Sequence, residues 1–404
     1  MVLKRKLFFL LLTLVCAKSQ TISDSLNAFT IDLLAATSRE NGSPRNLALS
    51  PYTVWTLLSI IDEGAKDNTA KQLETVLRIP DASGKSAFRN NFRNLSNIVS
   101  AKDSGVNLDI YNSIFTRKDQ TLKTEYRDVV RTNYDVNVQP IDFDNQDVAS
   151  ATINKYIAQA TKNRITNFIN PDDLAYASVF IVSALYFKGA WMQPFNPNQT
   201  RPDTFYDEKQ NKLGEVDMMY QMNPFAYARL EWIRGYSVEL PYGEGDKMSM
   251  ILILPYKDQT VQGMLQLMTQ EPFSKIINKL EKAAIDFEGD DVQVYLPRFK
   301  IESDLTLNAI LQKMGVTDVF DEANANLLGM FEHFLYVTRL IQRAEIEVNE
   351  EGTVASAASG ASVINKMPPP KFVANRPFLY FLVNKPTKSI MFAGKMTVPS
   401  KVAS

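Results

Sequence analysis

The chain predicts an α+β fold on two observations. Apolar residues recur at helical spacing as far as Ala160, and later segments are either apolar on both faces or alternate residue by residue. Ile22, Leu26, Phe29 and Leu33 set a first helix face. Ser50 followed by Pro51 reads as an N-cap with proline at the first helical position, and Thr69 with Gln72 has capping-box spacing ahead of Leu73 and Val76. Phe88, Phe92 and Leu95 form the apolar face of a further helix, and Ile153, Tyr156, Ile157 and Ala160 continue the pattern. Strands then take over. Residues 179–187 and 250–254 are apolar on both sides, as central strands covered twice would be. Val292, Val294 and Leu296 alternate with Gln293 and Tyr295, and Ala344, Ile346 and Val348 alternate with Glu345, Glu347 and Asn349.

The last of these strands runs directly into the most unusual part of the chain. Glu350-Glu351-Gly352 opens a run in which nine of the fourteen residues 353–366 are Ala, Ser, Gly or Thr, ending at a lone basic residue, Lys366, followed by Met367. Three prolines, 368–370, and a dense apolar strand, 378–383, follow. Small side chains suit a segment that must slide between strands already packed, because a bulky one would overfill a dense interior. Period-two alternation places Thr353, Ala355, Ala357, Ser359, Ala361 and Val363 on one face of such a strand.

With these residues in view, the chain resembles the serpin family. Glu350, Glu351, Gly352 and Thr353, followed by Val354, Ala355, Ser356, Ala357 and Ala358, are similar to the hinge of an inhibitory serpin. Asn375-Arg376-Pro377-Phe378 is similar to the family signature downstream of the bait loop. Shorter matches run the length of the chain: 46–51, 187–191, 296–299 and 392–395. The resemblance implies three β-sheets, about eight or nine helices and an exposed reactive-centre loop at about 350–371. Counting from either landmark puts the scissile bond at Lys366-Met367; a register slip would make Met367 the bait. It further implies a breach formed by Trp191, Arg298 and Glu350 that gates insertion, against the plainer reading of a surface ion pair worth at most about 1 kcal/mol. Ser50, Thr53, Ser183 and Gln342 match the shutter beneath the strands that must part. Ser183 stands where asparagine is usual and Gln342 where histidine is usual, and glutamine does not titrate near neutral pH. The function implied is suicide inhibition of a trypsin-like serine protease, with a carrier or binding protein of the same fold as the alternative.

Residues 1–17 combine a basic start at Lys4-Arg5-Lys6, a short apolar stretch and a Val15-Cys16-Ala17 end that suits signal peptidase. A secreted, extracellular chain is expected, with residues 18–404 as one domain. The apolar stretch is too short for a bilayer anchor, so no membrane partner is expected. Cleavage removes the one cysteine and three of the 44 basic residues, leaving 41 against 45 acidic. That balance gives no reason to expect nucleic acid, and the expected protein is monomeric and held by its core without disulfides. Asn41, Asn94 and Asn198 head glycosylation sequons.

Catalysis finds little support. His333 is the only histidine and no Gly-x-Ser-x-Gly motif occurs, which argues against a Ser-His-Asp hydrolase. A zinc site lacks its usual ligands, no cofactor is expected, and the Gly84-Lys85-Ser86 echo of a phosphate loop lacks the first glycine. Lys85, Arg89 and Arg93 fall four apart on one helix, where some serpins bind glycosaminoglycans. A solvated helix face is the preferred reading.

Overall fold

The structure, a computed structural model, describes residues 21–40, 45–100, 105–134, 136–352 and 368–400. Among the described residues are nine α-helices: α1 (Ile22–Glu40), α2 (Pro51–Gly64), α3 (Asp67–Leu77), α4 (Lys85–Val99), α5 (Thr124–Asn133), α6 (Gln146–Ala160), α7 (Val261–Met268), α8 (Ser274–Asp286) and α9 (Asn308–Met314). The fifteen strands are β1 (Leu47–Leu49), β2 (Val106–Arg117), β3 (Asn137–Ile141), β4 (Val179–Gly189), β5 (Arg201–Tyr206), β6 (Lys212–Asn223), β7 (Tyr227–Leu230), β8 (Gly235–Tyr242), β9 (Met248–Pro255), β10 (Val292–Pro297), β11 (Phe299–Thr306), β12 (Val337–Val348), β13 (Lys371–Val373), β14 (Phe378–Asn384) and β15 (Ser389–Met396). They form three sheets: six strands in the order β1-β15-β14-β9-β8-β7, four in the order β13-β10-β6-β5, and five in the order β11-β12-β4-β2-β3.

The five-stranded sheet explains the doubly apolar segment 179–187. Phe180, Val182 and Ala184 of β4 pack with Ile153 and Ile157 of α6 in one cluster, while Ile181, Leu185 and Phe187 turn to the main core with Leu57, Leu58 and Ile61 of α2. With both faces covered, no position on β4 needs to be polar for solvent. β9 and β14 are likewise buried along their whole lengths. Along β10 the odd positions Gln293 and Tyr295 are half-buried while Val292, Val294 and Leu296 are buried, as alternation predicted.

Three local expectations change. Ser50 occupies the N-cap of α2, but its side chain caps nothing there; the hydroxyl donates to the Met391 carbonyl at 3.1 Å. Thr69 and Gln72 lie inside α3, which starts at Asp67, and form no capping box. The Thr69 hydroxyl accepts from Asn326 N, and Gln72 Oε1 accepts from the backbone of Thr317 and Asp318, so both tie α3 to a distant segment. Finally, the first half is not helical throughout: β2, twelve residues long, crosses it and pairs with β4 over its length.

Candidate functional site

β4 and β12 are parallel neighbours, paired from Val337 opposite Val179 to Glu347 opposite Lys188 with a bulge between Val337 and Arg339. Both flanking strands, β2 and β11, run antiparallel to their mates. A strand entering between β4 and β12 in the opposite direction would therefore pair antiparallel with each, the slightly more stable arrangement per residue. Two groups of side chains fasten this pair, one at its upper end and one near its middle.

At the upper end, the junction of β10 and β11 holds Arg298 through its N–H, which donates to the Asp217 carbonyl at 2.8 Å. The guanidinium forks onto Glu350, with Nε 3.0 Å from Oε2 and Nη2 2.5 Å from Oε1. The Thr200 hydroxyl donates to the same Oε1 at 2.6 Å. Glu350 is only 7% exposed, so this is not the plain surface ion pair. Burial pushes its carboxyl up, but the Arg298 fork and Thr200 outweigh burial and hold it below the usual glutamate range. The same fork raises Arg298 above the ordinary arginine value.

Trp191 acts on the backbone beside this pair. Its ring stacks on Tyr242 with centroids 4.0 Å apart. Its Nε1 donates to the Asn349 carbonyl at 2.8 Å and its main-chain N to the Glu351 carbonyl at 2.9 Å, so it grips the chain on both sides of Glu350. Gly352 bridges to Trp191 in turn, and a Cβ there would sit 2.3 Å from Pro194 Cβ, a contact only glycine avoids. The Glu351 carboxylate reaches Lys188 Nζ at 3.0 Å.

Near the middle, Gln342 of β12 lies directly opposite Ser183 of β4, and both are fully buried above the start of α2. The Gln342 amide accepts from Ser50 N at 3.1 Å and donates to Ser50 O at 2.9 Å and Thr53 Oγ1 at 3.0 Å. Ser183 Oγ donates to Thr53 Oγ1 at 2.7 Å and lies 3.4 Å from Gln342 Nε2. One neutral amide thus satisfies both backbone groups of Ser50, with no titratable member.

Two of the three basic residues of α4 turn inward rather than forming a solvated face, while Arg93 is exposed. Lys85 Nζ lies 3.0 Å from Asp62 Oδ2 and donates to the Asp62 carbonyl at 2.8 Å. Arg89 forks onto Glu63 at 2.9 and 2.6 Å, and that carboxylate also accepts from Tyr134. Both acidic side chains are 2% exposed, so these two cations are committed inward as counter-ions to the end of α2. Arg93 donates to Asn133. Burial raises Asp62 to about 7, against the opposing pull of Lys85.

Elsewhere, Arg376 donates to the Pro255 carbonyl at the end of β9, the Asn375 carbonyl accepts from Tyr206 N, and Pro377 and Phe378 are buried where β14 begins. Asn94 is exposed within α4 and Asn198 is exposed in a short turn. His333 is exposed, and no cluster of candidate metal ligands occurs among the described residues. Residues 1–17, Asn41, the hinge residues Thr353 to Ala358, and Lys366 and Met367 lie outside the described residues. Sequence reasoning missed Thr200, Tyr242 and Lys188. In the sequence Thr200 is only the third residue of the Asn198 sequon, and nothing local announces a bond to a residue 150 positions away.

A family model for serpins (serine protease inhibitors) matches residues 24–399. The chain is 31% identical to the leukocyte elastase inhibitor of Xenopus tropicalis, covering 94% of this chain and all of that one. It is 30% identical to neuroserpin of Mus musculus, covering 89% and 88%. Among solved structures it is similar to Manduca sexta serpin-12, with TM-score 0.80, 25% identity and coverage of 94% and 98%. Uncleaved ovalbumin gives TM-score 0.79 at 27% identity, covering 93% and 99%.

Proposed function

Given that the chain belongs to the serpin family, whose members are mostly protease inhibitors and not enzymes, we propose that it is a secreted suicide-substrate inhibitor of trypsin-like serine proteases. The observation that carries this reading is the parallel pair β4 and β12, joined at their upper end to Gly352, the last described residue before the small-residue run. Lys366 presents a cation to an acidic specificity pocket. The protease serine attacks its carbonyl, the Lys366-Met367 bond breaks, and the Met367 amine leaves as the acyl-enzyme forms.

The freed run then enters between β4 and β12. Fourteen residues at about 3.3 Å each span roughly 45 Å, enough to carry the acylated enzyme to the far end of the sheet before water can release it. Insertion is favourable only if the intact chain leaves strand pairing unused, which makes the starting fold metastable. Arg298, Thr200 and Trp191 hold the entrance by gripping residues 349–351, and the Gln342 amide holds the middle. A glycan on Asn198 would stand two residues from Thr200, at the edge of that entrance.

Incubation with trypsin tests the proposal. A covalent complex that survives SDS, with its break at Lys366-Met367, is expected; full cleavage with release of active trypsin would leave a binding or carrier protein of the same fold. Thr353→Arg puts a long cation at a position that must be buried on insertion. It is expected to convert inhibitor into substrate, lowering the trapped fraction about tenfold or more. Unchanged trapping would rule out the hinge assignment.

A further inference from the structure

The far end of the slot carries a feature that neither folding nor the gates explain. Tyr176 is 93% exposed and Phe334 is 71% exposed. Each lies three residues before a strand, Tyr176 before Val179 of β4 and Phe334 before Val337 of β12, and those two strand starts pair with each other. The lead-ins are tied side by side: Val179 N donates to the Tyr336 carbonyl at 3.1 Å, and Ser178 N to Thr338 Oγ1 at 2.7 Å. Two exposed aromatic side chains therefore lie in the joined lead-ins to the two strands that flank the slot's exit. Tyr176 also has φ +56°, a left-handed conformation that costs a bulky residue about 1 kcal/mol or more and gains nothing here from packing.

Chain length says what would arrive there. The Gly352–Trp191 bridge is parallel, so an inserting chain must turn beyond it; fourteen residues laid antiparallel down β4 from about Ala190 would bring Lys366 to about the level of Ala177. The acylated residue would thus stop close to Tyr176, with the enzyme's body beyond it. We propose that Tyr176 and Phe334 form a landing surface for the trapped protease, packing against apolar surface on it and prolonging the acyl complex. This rests on the insertion reading above. Exposed aromatics suit the role, because they bury large area at low entropy cost.

The test uses the full chain and trypsin. The variant Tyr176→Asn/Phe334→Ser is expected to form the SDS-stable complex at the wild-type rate but to release active trypsin about tenfold faster, the loss typical of removing aromatic anchors. A control, Ile285→Ser/Phe287→Ser, removes two exposed apolar side chains at the end of α8 and should leave release unchanged. A photo-crosslinking phenylalanine at position 176 should capture trypsin in the acyl complex and should not capture catalytically inert anhydrotrypsin. A stable complex with a wild-type release rate and no crosslink overturns the landing surface while leaving trapping intact; failure of the wild-type chain to form any complex overturns the insertion reading itself.

Discussion

The two fastenings between β4 and β12 do the same job with opposite chemistry. The upper one is ionic: a buried carboxylate forked by Arg298, with Thr200 on the same oxygen. The middle one is a neutral amide serving the backbone and hydroxyls of its neighbours. A charged clamp is strong while both partners are present and costly when one is lost, whereas a neutral network loses bonds singly. The entrance therefore has a sharp threshold and the middle a graded one. On the proposed insertion, a gate that stays shut until the chain is cut benefits from the former, and strands that then part in sequence benefit from the latter.

Glu350→Ala attacks the comparison at its strongest point. It leaves Arg298 without its main partner and is expected to cost the intact form about 3 kcal/mol, measured by denaturant unfolding, with little effect on the cleaved form if insertion opens the clamp as proposed. Gln342→Leu leaves the buried Ser50 N–H without an acceptor, while the Ser50 carbonyl keeps the Thr53 hydroxyl, and is expected to cost about 2 kcal/mol. A larger loss than that of Glu350→Ala would reverse the ranking of the two gates. Ser183→Ala removes one donor to Thr53 and should cost about 1 kcal/mol.

The most diagnostic effect is on pH. Glu350 is held below its ordinary value, so its share of stability is fully present above about pH 4.5 and is lost as pH falls through the lowered value; the Gln342 network has nothing to titrate. Asp62 works in the other sense. With its value raised to about 7, the native state holds a proton the unfolded chain has released, so stability declines as pH rises from about 4 to 7. In Asp62→Asn that decline, at most about 1.4 kcal/mol per pH unit, should vanish, isolating the acid loss due to Glu350. An acid loss of the same size in Asp62→Asn/Glu350→Gln would show that the entrance does not titrate.

What could be read from the sequence was what repeats locally or is fixed by covering on two sides. β4 and β9 announce themselves because both faces are packed, and α1 and α6 because one face is. The four residues of the middle network and the Arg298–Glu350 pair were nameable through resemblance, and the structure brings each set together. What escaped depends on contacts far apart in the chain. The Ser50 hydroxyl turns from its helix to Met391, and Lys85 and Arg89 turn from solvent to Asp62 and Glu63. Such pairings are set by the approach of whole elements, which no local pattern records.

The central claim is that the intact chain stores folding free energy. Thermal melting of the chain intact and after cleavage at Lys366-Met367 measures it directly. The cleaved form is predicted to melt well above the intact one, because residues 353–366 add a strand between β4 and β12; equal or lower melting after cleavage would contradict the account.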